Sequence, residues 1–291
     1  MIHKLMEELQ FPAEAIGEIE AAYQAMCAYP NGRVRMEQAA HDLFDGDAAQ
    51  YMDQIKDLAE DSGVHPYAAD MAFGLYCALI LRKRYAEKGL ADELFLDAMA
   101  DLRYKLMECK AVKGEWGSFV AKWWKGFFRM ERFALGRLQY EHMPFRCEEY
   151  HGIKKDDVVY NCHIPSSGPL RREEVLASLK KAHSFYHDEL KDSILPVVCS
   201  SWLLYPPMYE VYPENSNLRR FYELFEILET KETDLDHNLW RIFNVENTPL
   251  KELPENTSLQ QRLKQYLLAG GEMGSGYGVL LFDGKKILKM S

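Results

Sequence analysis

Residues 158–170 read VVYNCHIPSSGPL, residues 171–190 read RREEVLASLKKAHSFYHDEL, and residues 194–204 read ILPVVCSSWLL. An apolar run enters a loop of small residues, a helical pattern follows, and a second apolar run closes the unit. This order predicts strand, helix and buried strand. Upstream, FALGRLQYE at 133–141 alternates apolar and polar residues as a half-buried strand does. Downstream, NLRRFYELF at 217–225 and residues 259–269 read as helices, and GYGVLLF at 276–282 reads as a closing strand. Strands alternating with helices after an opening meander imply a mixed sheet covered by helices, the α/β class.

The first part of the chain has a different texture. Apolar residues at three-and-four spacing predict helices over 12–28, 36–44, 48–62, 66–88 and 91–110, with a last one over 117–129. The segment from Pro66 carries the strongest stripe, ends on the basic RKR and stops at Gly89. No alternating β-branched run interrupts residues 1–125, so this region reads as all-α. A chain of 291 residues exceeds the span of one ordinary core, and the expected division is a helical domain over 1–130 and an α/β domain over 131–291.

Composition excludes several classes of function. The net charge of −10 has the wrong sign for a chain that neutralises nucleic-acid phosphates. The longest apolar run, residues 71–81, falls well short of the roughly 20 residues that cross a bilayer, so no membrane partner is expected. The opening MIHKLMEELQF carries acids where an export signal is apolar, and a cytoplasmic location is expected. The six cysteines include no C-x-x-C pair and read as free thiols, neither a disulfide framework nor a zinc site.

Three places can carry chemistry. In the first, Ser166, Ser167 and Gly168 offer hydroxyl and backbone donors just before a helix whose positive end points at the same spot, the layout of an anion cradle. The plainer reading makes Ser167 the cap of that helix. Arg171 and Arg172 stand in its first turn, where the dipole disfavours cations, and an anion held between them would account for that. Beside the loop, Cys162 and His163 are strand neighbours that point to opposite faces and cannot act as a nucleophile pair. His163 remains a candidate general base, or a satisfied core histidine. His183 and His187 have chelating spacing, but Ser184 stands where a zincin glutamate would be and no third ligand is in view, so no metal is expected.

The second place, Asn217 to Phe225, carries a resemblance. NLRRFYELF resembles the N-x-x-A-x-x-F-Y-x-x-x-G-F stretch of the GCN5-related N-acetyltransferases, with Leu224 and Arg220 in place of the Gly and Ala. The resemblance makes VVYNCHIP the fourth strand, SSGPL the phosphate loop and PVVCSSWLL the fifth strand. ECKAVKGEWG, RFALGRLQYE, HIPSSGPL, ENSNLRRF and AGGEMGSGYGV are similar to a narrower group of bacterial acyltransferases, built from a helical amino-terminal domain and a GNAT-like carboxy-terminal domain. It implies acyl-CoA, acetyl-CoA or a longer thioester, as co-substrate. The contacts it implies fall on Ile164, Ser166, Ser167, Gly168, Leu170, Arg171, Arg172 and Asn217, with Tyr222 as the acid. The base is then His163 or Glu141, the latter closing the strand GRLQYE. The general loop has R/Q-x-x-G-x-G/A, whereas this chain has a single Gly168 followed by Pro169.

The third place, residues 270–278, contains a G-x-G-x-G run, but a strand follows it, so neither dinucleotide nor P-loop mechanics apply. A close approach of backbone is one use for it, and a plain connector is the other. The expected function is acyl transfer from acyl-CoA to a small-molecule or peptide amine. The alternative is an acyl-CoA sensor or interaction protein without turnover.

Overall fold

The computed structural model describes residues 1–47 and 50–288, of which 236–238 as backbone. It divides into two units, Met1–Ala134 and Leu135–Ser291. The first runs α1 (Ile2–Glu8), α2 (Ala13–Ala28), α3 (Gly32–Phe44), α4 (Gln50–Ser62), α5 (Pro66–Glu87), α6 (Asp92–Lys113), a 3-10 turn at Ala121–Trp124, α7 (Lys125–Phe128) and the short β1 (Arg132–Ala134). The expected start of α4 at Ala48 lies outside the described residues.

Helix α5 is the axis of this unit and packs against α1, α2, α4 and α6. Its apolar run has almost no polar face to turn to water, so Met71, Phe73, Leu75, Ala78 and Leu81 are all buried. Pro66 opens the helix without forfeiting a hydrogen bond, and the His65 ring accepts the Tyr67 N–H at 3.3 Å. The helix expected over 117–129 is cut down to the 3-10 turn and α7. Ser118 N–H bonds the Tyr67 carbonyl at 3.0 Å, which straps the segment to the start of α5 and delays helical winding until Ala121.

The second unit contains β2 (Gln139–Pro144), β3 (Glu149–Tyr150), β4 (Ile153–Lys154), β5 (Val158–His163), α8 (Arg172–Phe185), β6 (Leu195–Ser201), α9 (Met208–Val211), α10 (Asn217–Tyr222), β7 (Glu226–Glu232), α11 (Asp236–Phe243), α12 (Ser258–Leu268), β8 (Gly274–Phe282) and β9 (Ile287–Leu288). The main sheet runs β2-β5-β6-β8-β7, with β9 also on β8. β5 and β6 are parallel, and the other pairings are antiparallel, so the sheet is mixed.

Two strand readings need correction. The single strand expected over 133–141 is broken, because residue 136 is a glycine at φ +85° and Leu135 N–H turns back to the Leu138 carbonyl at 3.0 Å. β7, EILETKE, was not expected as a strand: it lies at the sheet edge, half-buried at best, and carries the charges that keep an edge from pairing further.

One face of the sheet is covered by α8. The Ser178 hydroxyl on that helix donates to the Leu135 carbonyl at 2.7 Å, accepts the Leu138 N–H at 3.1 Å and lies 3.1 Å from the Tyr140 hydroxyl. The opposite face carries a second core. Phe145 and Tyr150, from the segment around the β3–β4 hairpin, form a core there with Val159, Val198, Tyr277, Val279 and Leu281. Among the described residues, no helix is long and apolar enough to cross a membrane.

Candidate active site

The β2–β5 register sets Gln139 against His163 and Glu141 against Asn161. Strand alternation therefore brings these four side chains to one face and sends Tyr140 and Cys162 to the other, toward Ser178. His163 Nε2 lies 2.7 Å from Glu141 Oε2, and their side chains are 15% and 19% exposed. A carboxylate oxygen at that distance requires a proton on Nε2, which leaves Nδ1 as the basic nitrogen of the neutral ring. The Asn161 amide group sits 3.2 Å from the same Nε2, and we assign its oxygen, not its NH2, to that side, since two donors cannot bond. The pair is an imidazole oriented by a carboxylate, an arrangement that can take up a proton and stabilise the cation that results.

The strands part beside it. β5 and β6 pair only through Tyr160 with Val197 and Asn161 with Val198. Beyond that point β5 stays with β2 as far as His163, and β6 stays with β8 as far as Ser201. At the fork lie Cys162 and Cys199, both buried and free. The Cys199 thiol, together with burial, holds the Cys162 thiol well above its ordinary range.

The loop after β5 leads into α8 from the open end of the fork. Ser166, Ser167 and Gly168 are exposed, Ile164 is half-buried and Leu170 is buried. The N-cap of α8 is Arg171, and no side chain caps it. Ser167 is therefore not the cap, and the first amides of a 14-residue helix lack the usual side-chain acceptor. Arg171 and Arg172 are both exposed, and Arg171 Nη1 is held 2.9 Å from Glu174 Oε1.

The remaining residues singled out in the sequence take various places. α10 packs against α8 and against the turn that follows β6. Asn217 is its first residue, half-buried behind a Ser216 cap that accepts the Arg219 N–H at 3.2 Å. The Tyr222 ring stands 5.2 Å from that of Tyr209. Burial, then the Tyr209 oxygen, holds the Tyr222 hydroxyl above its ordinary value, so it keeps its proton at neutral pH. His183 donates from Nε2 to the Ser193 carbonyl at 2.9 Å, a structural bond. Among the described residues, no group of three potential ligands could hold a metal.

The glycine run has a packing use. A Cβ on Gly276 would lie 2.0 Å from the Leu204 carbonyl oxygen, and one on Gly274 would meet the Tyr205 ring at 2.5 Å. Small residues there let the turn after β6 lie flat on β8. At the same end of the sheet, a cavity of about 550 Å³ has Leu235, Leu250, Leu267 and Met273 in its wall, with Glu232, Asp234 and Glu272 among its polar residues.

Sequence reasoning missed Asn161, although its i, i+2 spacing to His163 on a strand was a usable signal. The contact between Glu141 and His163 depends on register between two strands and left no local trace.

Residues 133–280 match the family model described as the GNAT-like C-terminal domain, and residues 1–130 match the N-acyltransferase N-terminal domain. No curated protein matches the chain. Among solved structures it is similar to an acyltransferase in complex with decanoyl-CoA and teicoplanin, with a TM-score of 0.76, 21% identity, and coverage of 95% of this chain and 86% of that one. It is also similar to an acyltransferase in complex with decanoyl-CoA (0.74, 23%, 95% and 86%) and to a mutant acyltransferase in complex with octanoyl-CoA (0.74, 21%, 94% and 86%). At such identities the likeness concerns the fold.

Proposed function

This chain belongs to the family of the GNAT-like C-terminal domain, carried behind an N-acyltransferase N-terminal domain, and from that premise we propose that it transfers an acyl group from an acyl-CoA thioester to an amine. The observation that carries the reading is the His163–Glu141 pair at the open end of a parallel seam, next to a helix that begins without a side-chain cap. The donors there suit the cofactor: the amides of Ser166 to Gly168 and the start of α8 favour a pyrophosphate, and Arg172 adds an exposed cation. The gap between β5 and β6 would take the pantetheine arm.

In this scheme His163 Nδ1 takes the proton of the attacking amine. Glu141 keeps the imidazole in the required tautomer and stabilises the imidazolium. Tyr222, still protonated at neutral pH, returns a proton to the departing thiolate. The carboxylates of Glu232, Asp234 and Glu272 around the end cavity favour a cationic acceptor, small enough or extended enough to enter it.

The test is a thermal-shift series with CoA, acetyl-CoA, octanoyl-CoA and decanoyl-CoA. A thioester at 100 times its dissociation constant is expected to stabilise the protein by about 2.7 kcal/mol. The likeness to structures holding octanoyl- and decanoyl-CoA is the reason to carry the series past acetyl. Absence of any shift overturns the proposal. A shift without turnover on any amine would instead favour an acyl-CoA sensor.

A further inference from the structure

Arg137, in the turn before β2, reaches across to the loop between β5 and α8. Its guanidinium donates from Nη1 to the Pro165 carbonyl at 3.1 Å, from Nη2 to the Gly168 carbonyl at 2.5 Å and from Nε to the Pro169 carbonyl at 3.1 Å. A planar fork with five N–H groups can serve three carbonyls at fixed angles, which an ammonium on a flexible stem cannot.

The direction of those carbonyls fixes the direction of other groups. The peptide bonds are trans, and in a planar trans peptide the carbonyl of one residue points opposite to the N–H of the next. With the Pro165 and Pro169 carbonyls turned onto Arg137, the N–H groups of Ser166 and Leu170 are turned away from it. The Gly168 carbonyl shares its peptide with the nitrogen of Pro169, which has no hydrogen to give. A proline that costs the loop one donor therefore sits where Arg137 claims the matching carbonyl.

Resting on the reading of this loop as the site for the phosphates of CoA, we propose that Arg137 is a positioning residue that presets it. The guanidinium gathers the carbonyls on one side and presents the Ser166 and Leu170 amides on the other before the ligand arrives. A loop without that restraint would also expose carbonyl oxygens to the incoming phosphates and would have to order itself on binding, at a cost in affinity.

The experiment compares wild type with Arg137→Lys, which keeps the charge and loses the fork, and with Arg137→Gln, which loses both. Backbone 15N relaxation over residues 164–170 is read in the ligand-free protein, and CoA affinity is read by calorimetry. Both variants are expected to lower the order parameters of the loop from the rigid range, about 0.85, toward about 0.6, with the rest of the sheet unaffected, and to bind CoA about tenfold more weakly. Wild-type affinity in Arg137→Lys would overturn the proposal, because charge alone would then suffice. Weaker CoA binding with unchanged loop order would overturn it too, by pointing to direct contact with phosphate, and so would lowered order throughout the unit, by pointing to general destabilisation. If wild type itself binds no CoA, the cofactor reading fails. Unchanged loop order in the variants would separately show that Arg137 does not order the loop.

Discussion

The two edges of β6 are built in opposite ways. Along one edge, every residue from Leu195 to Ser201 pairs in continuous antiparallel register with β8, and the turn after the strand is pressed onto Gly274 and Gly276. Along the other, two residues pair in parallel with β5 before the strands separate. Cohesion is concentrated on the edge away from His163 and Glu141, which would let the nearer edge offer strand-end backbone groups to the proposed acyl-CoA without loosening the sheet. A binding cleft in a sheet is compatible with a rigid core when the strand that borders it is anchored from behind.

The closed edge should fail most severely. Gly276→Val places side-chain carbon against the backbone oxygen of Leu204, which cannot move without lifting the turn from β8. The expected loss exceeds about 3 kcal/mol, or roughly 10 °C in melting temperature, by thermal or denaturant unfolding. Near-wild-type stability would mean that this edge yields and that the contrast between the edges is overstated.

At the open edge the cost should fall on turnover instead. His163→Ala and Tyr222→Phe are expected to lower kcat by about 10²-fold, and Glu141→Gln by about tenfold, with melting temperatures changing far less than for Gly276→Val. Slow hydrolysis of the acyl-CoA can serve as the first assay. Wild-type turnover in any one variant removes that residue from the mechanism.

The smallest effect concerns the start of α8. Arg171→Glu with Arg172→Glu should weaken CoA more than dephospho-CoA, by about tenfold, if either arginine pairs with the 3′-phosphate. Because Glu174 already holds Arg171, Arg172→Glu alone should retain most of the difference. Equal weakening of both ligands would shift the contact to the pyrophosphate. No weakening of either would leave the arginines as solvated surface and the open edge without its expected anion contact.

Much of the fold was readable from local signals. The strand-loop-helix-strand passage over 158–204 has the right period in each part, and α5 announces itself by an uninterrupted apolar stripe. β7 was missed because an edge strand is charged and mostly exposed, so its alternation is faint. The break inside FALGRLQYE turned on a single left-handed glycine, which an alternating pattern conceals. In the candidate site, His163 and Glu141 could each be named from the sequence, but their 2.7 Å contact is set by register across 22 positions. Arg137 was not singled out, since its partners are carbonyls, which every residue carries.

The buried thiols at the fork make the open edge measurable in time. Alkylating reagents attack thiolates they can reach, and Cys162 and Cys199 are buried, Cys162 with its proton held tightly as well. Their labelling therefore waits on local opening of the α8-covered face at the fork, whereas Cys27 and Cys147, each half-buried, lie outside it. The labelling rate of Cys162 thus counts local openings at the fork. It works as a native clock whose slowing by any molecule bridging the two strands would report residence there with no need to follow a substrate or a product.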